Sequence, residues 1–344
     1  MSETPRSRPA LIRPPAPRAG DAVAIVSPSW GGAGLYPRQL ARATAALEQH
    51  LGVRVQVMPH ALRHDSWVSA SAGERADDLH RAFRDPSVRL ILGAIGGDHS
   101  AQVLPELDFD LIAAHPKALV GYSDLANLVQ AVHARTGLVT FYGVSALMQF
   151  GELPEPHAFT LEGFRRVVMR TEAAGAVGWP DFLTDEFGDW ESETGKVRAP
   201  RPAGPPRALR AGSASGPLLA GCLPSVGQLL GTPWQPDYAG RVLLLETPEQ
   251  PYTAAEADRD LWHLRNAGLL HQVAALGMGR PAGMDQPARA ALDDVILGAT
   301  AGARCPVVVD LPFGHTDPVA TLPLGVRATL SADGLSIDEP AVSP

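Results

Sequence analysis

Three polar residues close apolar, strand-like runs. Ser123 follows Ala-Leu-Val-Gly-Tyr, Glu246 follows Val-Leu-Leu-Leu, and His315 lies just beyond Val-Val-Val-Asp-Leu-Pro-Phe-Gly. In open α/β sheets ligands and reacting groups gather at that edge. Their types supply a nucleophile, an orienting carboxylate and a base. A serine hydroxyl is a poor nucleophile unless an imidazole takes its proton, and the imidazole needs a carboxylate to fix its tautomer and stabilise its charge. The order Ser, Glu, His is also that of the α/β-hydrolase triad, although Gly121-Tyr-Ser-Asp-Leu125 departs from the G-x-S-x-G elbow at its last position. Structural readings stand beside the chemical ones. Ser123 before Asp124 suits a helix N-cap, Glu246 a solvated strand end, and His315 a loop histidine bonded to backbone.

Gly93-Ala-Ile-Gly-Gly-Asp-His-Ser100 also follows a strand and precedes a helix, where a phosphate cradle or an oxyanion hole is built. It matches neither G-x-G-x-x-G nor the Walker pattern, which disfavours a Rossmann nucleotide site. Under the hydrolase reading the Gly97 and Asp124 amides hold the oxyanion, and Gly96 and Asp98 join the substrate-contact candidates. His60 and His64 have the spacing of two helical metal ligands but lack the glutamate of H-E-x-x-H and a third ligand, so no metal is expected there. Asp108 and Asp110 read as turn and cap residues.

The elements that must position these groups alternate between strand and helix. Strands are predicted at Ala22 to Val26, Val53 to Met58, Val88 to Ala94 and Ala118 to Tyr122, with helices between them, including about Gly73 to Phe83. This β-α-β pattern implies a mostly parallel sheet covered on both faces, in a first domain spanning 21–172. From Asp181, six carboxylates fall in thirteen residues of a stretch that also holds Trp179 and Trp190. Gly195 to Pro217 then carries five Pro, four Gly and four Arg, a composition that cannot sustain a helix or a central strand, so 173–217 reads as a long loop or linker. Strands at Arg241 to Leu245 and Pro306 to Leu311, with helices at Ala254 to Asn266 and Ala288 to Leu297, give a second, smaller α/β domain over 218–335.

Composition narrows the class. The chain has 344 residues, 45% of them hydrophobic, and a formal charge of −8, which argues against nucleic acid as a partner. Only Lys117 and Lys196 are lysines; the arginine bias has no functional reading. Cys222 and Cys305 make no disulfide framework and fit a reducing compartment. Residues 1–20 lack the apolar core of a secretory signal and read as a disordered lead-in. With no apolar run near the roughly 18 residues of a membrane helix, the expected location is the cytoplasm, with no membrane partner.

Several strings together resemble the LD-carboxypeptidase family of serine peptidases, which includes the microcin C self-immunity peptidases. They are Ile95-Gly-Gly97, Leu107-Asp-Phe-Asp-Leu-Ile, Pro116-Lys-Ala-Leu-Val-Gly-Tyr-Ser-Asp124, Leu243-Leu-Leu-Glu246, and Phe313-Gly-His-Thr-Asp-Pro318 with Leu322-Pro-Leu-Gly325, spanning about residues 20 to 333. The resemblance implies Ser123 as nucleophile, His315 as general base, Glu246 as its carboxylate, and the Gly97 and Asp124 amides as oxyanion donors. It implies a flavodoxin-like (class I glutamine amidotransferase-like) N-terminal domain, no metal or other cofactor, and a homodimer. The acidic, Trp-bearing stretch resembles the extended loop of the immunity-type branch, where tryptophans stack on a nucleobase, so Trp179 and Trp190 are substrate-binding candidates for a small peptide or peptide-nucleotide conjugate. Tyr142-Gly143-Val144 and Ala220-Gly221-Cys222-Leu223 depart from strings common in relatives. The murein branch, which releases a terminal D-alanine, and a catalytically silent binding protein remain alternatives.

Overall fold

The computed structural model describes residues 9–191, 196–249 and 251–344. A first sheet is built from β1 (Ala22–Val26), β2 (Arg54–Val57), β3 (Val88–Gly93), β4 (Ala118–Gly121) and β5 (Phe141–Tyr142), all parallel in the order 2-1-3-4-5. That is the flavodoxin order, in which the strand sequence reverses between β1 and β3 and opens a crevice at their C-terminal ends. The central strands are apolar throughout because helices cover both faces: every residue of Ala22–Val26 and of Ala118–Gly121 is buried. Local signals set the helix ends. Ser71 and Glu74 form a capping box on Ala72–Arg84, and Pro37 opens Pro37–Leu51, which Gly52 ends in the left-handed region.

The rest of the chain forms β6 (Gly175–Ala176), a small hairpin of β7 (Phe182–Leu183) with β8 (Arg201–Pro202), then β9 (Arg207–Arg210), β10 (Ser213–Cys222), β11 (Val242–Glu246), β12 (Ala275–Gly279) and β13 (Val307–Leu311). Strands β14 (Leu322–Pro323), β15 (Arg327–Ser331) and β16 (Gly334–Ile337) follow. The second sheet runs β6-β16-β15-β10-β11-β12-β13-β9, parallel from β10 to β13 and antiparallel at its flanks. Strand β14 crosses back to pair with β5, closing the edge of the first sheet. Helix Ala126–Thr136 lies between the sheets: the Gln130 amide donates to the Ala220 carbonyl at 3.0 Å, and Gly221 lacks the side chain that would collide with Ala126 and Gln130.

Two expectations need correction. Of the lead-in expected over 1–20, residues 1–8 lie outside the described residues, and 9–20 are not disordered: Ile12 bridges to Leu138, Pro15 to Ser343, and Ala16 is buried, because the Ile12 and Ala16 backbones pair with Gly137, Val139 and Ser343 while Leu11, Ile12 and Ala16 pack on the core. The Pro- and Gly-rich stretch also yields a central strand, β10. Its Ser213–Pro217 half pairs with β15 and its Leu218–Cys222 half with β11, so the missing amide of Pro217 falls where the strand changes partner.

Candidate active site

Ser123 stands at the end of β4, where the chain turns sharply into the 3-10 turn Ser123–Leu125 and then helix Ala126–Thr136. Its φ is +57°, a conformation that costs a residue with a Cβ about 1–3 kcal/mol and persists only when the surroundings impose it. Here Gly121 packs against Leu125 and Val129, and the Ser123 amide donates to the Tyr142 hydroxyl at 3.2 Å. The strained turn lifts Oγ out of the sheet edge. It also leaves the Asp124 amide at a helix start, without an intrahelical acceptor.

Glu246 ends β11 and is fully buried. Oε2 accepts from His315 Nδ1 at 2.7 Å, and Oε1 accepts from the Tyr142 hydroxyl in a short hydrogen bond. Burial, and then the neighbouring Glu246 charge, push the Tyr142 phenol well above its usual range, so it stays a donor. His315 is carried by the loop after β13, and its Nε2 lies 3.0 Å from Ser123 Oγ. The three residues that end separate strand-like runs thus form one relay, Ser123–His315–Glu246. Burial opposes a charge on His315, but Glu246 outweighs it, with Glu249 and Asp317 acting in the same direction, and the imidazole is raised above its ordinary value.

The Gly96–Gly97 turn after β3 faces the nucleophile at the β1/β3 crevice. A Cβ at Gly96 would lie 2.7 Å from Ser123 Cβ and 3.3 Å from the Asp124 amide nitrogen. Gly97 has φ +139°, and a Cβ there would meet Ser29 Oγ at 2.5 Å. The Trp30 amide donates to the Gly96 carbonyl at 3.1 Å, and Ser29 Oγ accepts from His99 N at 3.0 Å, which pins the turn. Below it, Asp124 accepts from Ser100 N at 2.8 Å and from Asn127 at 3.1 Å. Gly96 therefore borders the space in front of Ser123 Oγ and the Asp124 amide.

A cavity of about 400 Å³ opens over these groups. Gly96, Gly97, Asp98, Ser123 and His315 line it, as do Trp30, Phe187, Tyr252, Arg198 and Glu249, which sequence reasoning did not single out. Trp179 and Trp190 do not reach it. Trp190 is buried against Tyr36 and Phe187, with ring centroids 5.3 and 5.0 Å away, and Trp179 is exposed and lines a separate pocket with Pro206 and Leu311. From the same acidic segment it is Phe187, with Asp185 and Glu186, that enters the cleft. The segment is stitched to the histidine loop by paired backbone bonds between Thr184 and Asp317, and by buried Arg198, which bridges Asp317 at 2.7 Å and Glu152.

His60 lies in a turn and His64 in irregular chain, neither on a helix, and His60 Nδ1 is taken by Asp78 at 2.9 Å. Cys222, Glu246 and His315 bring ligand-type atoms within 4.8 Å of one another, but the carboxylate and Nδ1 are already committed to each other. No helix among the described residues is long and apolar enough to cross a membrane.

Comparison with known proteins agrees with this two-domain fold. The model of the LD-carboxypeptidase N-terminal domain matches residues 23–143 and that of the C-terminal domain residues 215–330. The microcin C7 self-immunity protein MccF of Escherichia coli is 29% identical over 278 residues, covering 79% of this chain and 80% of MccF. A Bacillus subtilis protein named "Probable murein peptide carboxypeptidase" is 29% identical over 336 residues, covering 96% and 95% of the two chains. The solved structure of MccF in complex with aspartyl sulfamoyl adenosine superposes with a TM-score of 0.86 at 26% identity, over 96% of this chain and all of that one.

Proposed function

Since the chain belongs to the LD-carboxypeptidase family and is a serine-type carboxypeptidase, we propose that it hydrolyses an amide of a small peptide or peptide-nucleotide conjugate through a Ser123-His315-Glu246 triad. The observation that carries this is the continuous relay from Ser123 Oγ to His315 Nε2 at 3.0 Å and from Nδ1 to Glu246 at 2.7 Å, beside a glycine turn. Ser123 Oγ attacks the carbonyl carbon while His315 takes its proton. The oxygen that becomes negative faces the Gly97 and Asp124 amides. His315 then protonates the departing nitrogen, the C–N bond breaks, and an acyl ester remains on Ser123. Water, deprotonated by His315, releases the acid and restores the serine. Glu246 keeps Nε2 pointed at the serine and stabilises the imidazolium, and Tyr142 holds Glu246.

The self-immunity type of substrate is favoured by the aromatic faces of Trp30, Phe187 and Tyr252 in the cleft, which suit a flat base, and by the likeness to MccF solved with aspartyl sulfamoyl adenosine. The second reading, release of terminal D-alanine from a murein tetrapeptide, is favoured by the carboxypeptidase relative that aligns over nearly the whole chain. Purified protein offered both an aspartyl-adenylate sulfamoyl analogue and a murein tetrapeptide separates them: cleavage of the analogue is expected, and rapid D-alanine release with the analogue untouched overturns the preference. A Ser123→Ala variant that protected cells as well as the wild type would mean sequestration rather than hydrolysis.

A further inference from the structure

Glu249 stands three residues beyond Glu246, on the rim of the cavity, with its side chain 54% exposed. Its Oε2 lies 3.0 Å from His315 Nε2, the same nitrogen that lies 3.0 Å from Ser123 Oγ. A base about to accept the serine proton presents a lone pair on Nε2. Against that lone pair a carboxylate oxygen at this distance would be repelled, so the contact needs a hydrogen on Nε2. The geometry is that of an imidazolium that donates to Glu246 through Nδ1 and to Ser123 Oγ through Nε2, with the Glu249 carboxylate at ion-pair distance from Nε2. Such a ring cannot take the serine proton. The two carboxylates differ in tether: Glu246 is buried and held by Tyr142, whereas among the described residues Glu249 has no other partner.

We propose that Glu249 is a displaceable counter-charge for the catalytic histidine, pairing with the charged His315 ring in the free enzyme and moving away from Nε2 when substrate fills the cavity. It is a positioning residue and rests on the triad reading above. The other groups facing the ring do not change on binding in this way. Glu246 from β11 is buried, the Tyr122 ring at the end of β4 lies 4.8 Å from the imidazole, the Cys222 thiol ends β10, and Asp317 on the same loop is held by Arg198 and Gln149. The consequence is a difference between two acid limits. In the free enzyme Glu249 favours the charged ring, so kcat/KM falls off on the acid side at a higher pH than kcat, which reports the complex in which Glu249 has moved away.

The test compares the full-length wild type with Glu249→Gln. The acid limb of kcat/KM is expected to move to lower pH by about half a unit, the size of a half-exposed ion pair, with the limb of kcat unmoved. Glu249→Asp, which keeps the charge, should restore part of the shift. The His315 ring nitrogens, followed by NMR without substrate, should titrate at lower pH in the Gln variant. A kcat/KM limb that stays in place, limbs of kcat and kcat/KM that move together, or an unchanged ring titration each overturn the proposal. Failure of the wild type to cleave any amide probe would instead sink the triad reading, while the NMR titration still decides whether Glu249 pairs with His315.

Discussion

A serine hydroxyl becomes reactive only when the groups around it agree, and the cleft shows how few atoms are involved. Replacing Ser123 by Ala should lower kcat by about a thousandfold or more, leaving substrate binding nearly intact, as measured by turnover and by titration of the variant with substrate. Tyr142 is a second test. Its hydroxyl accepts from the Ser123 amide and donates to Glu246, so one phenol joins the strained turn to the carboxylate. Tyr142→Phe leaves a buried Glu246 oxygen unpaired and should cut kcat roughly ten- to a hundredfold with little change in KM, the equivalent of about 1.5–3 kcal/mol. The pH sign follows from His315. The charged ring is inactive and Glu246 raises its pKa, so activity should rise with pH through that raised value, and Glu246→Gln should move the acid limb to lower pH while reducing the rate. Ser123, Glu246 and His315 are legible because each ends an apolar run. Tyr142 and Glu249 are not, because their partners sit 104 and 66 positions away on other elements and only the approach of two sheets brings them together.

The element that matters most is the turn after β3. Gly96 leaves room where a side chain would stand 2.7 Å from Ser123 Cβ, and Gly97 adopts φ +139° under the Trp30 backbone. Gly96→Ala should therefore give a protein that folds but cleaves at least about a hundredfold more slowly, because a methyl group occupies the space in front of the nucleophile; an unchanged circular dichroism spectrum with lost turnover is the expected pair of readings. The strands of the first sheet are readable from composition because buried parallel strands are continuous apolar runs. Strand β12, Ala-Leu-Gly-Met-Gly, escapes such a reading. Its two glycines weaken the β signal, yet they are what lets Leu244, Leu311 and Glu246 close over the strand. Strand β10 escapes for a related reason: proline is excluded from a central strand only where its amide would be needed, and at Pro217 the pairing changes sides. Asp185, Glu186 and Phe187, not the tryptophans, reach the cleft, because Trp190 is consumed in packing on Tyr36.

At the scale of the whole molecule, the acidic segment works as a strap. Arg198 is buried between Glu152, from the first sheet's side, and Asp317, on the histidine loop. Arg198→Ala leaves two buried carboxylates without their counter-charge and should destabilise the fold by about 3–5 kcal/mol, read as a lower denaturant midpoint at constant slope. It should also slow turnover, since Asp317 positions the loop that carries His315. Of the three, only Asp317 falls in a string singled out in the sequence; they come together because the segment pairs with the histidine loop through Thr184 and Asp317. The central claim is that catalysis passes through an ester on Ser123, and the intact mass of the protein tests it most directly. Mixed rapidly with an aspartyl-adenylate sulfamoyl analogue and quenched in acid, the wild type should gain the mass of one aspartyl group, mapped to the peptide holding Ser123 and lost on further incubation. Substrate turnover with no mass gain at any quench time, or a gain that persists in Ser123→Ala, would contradict the account.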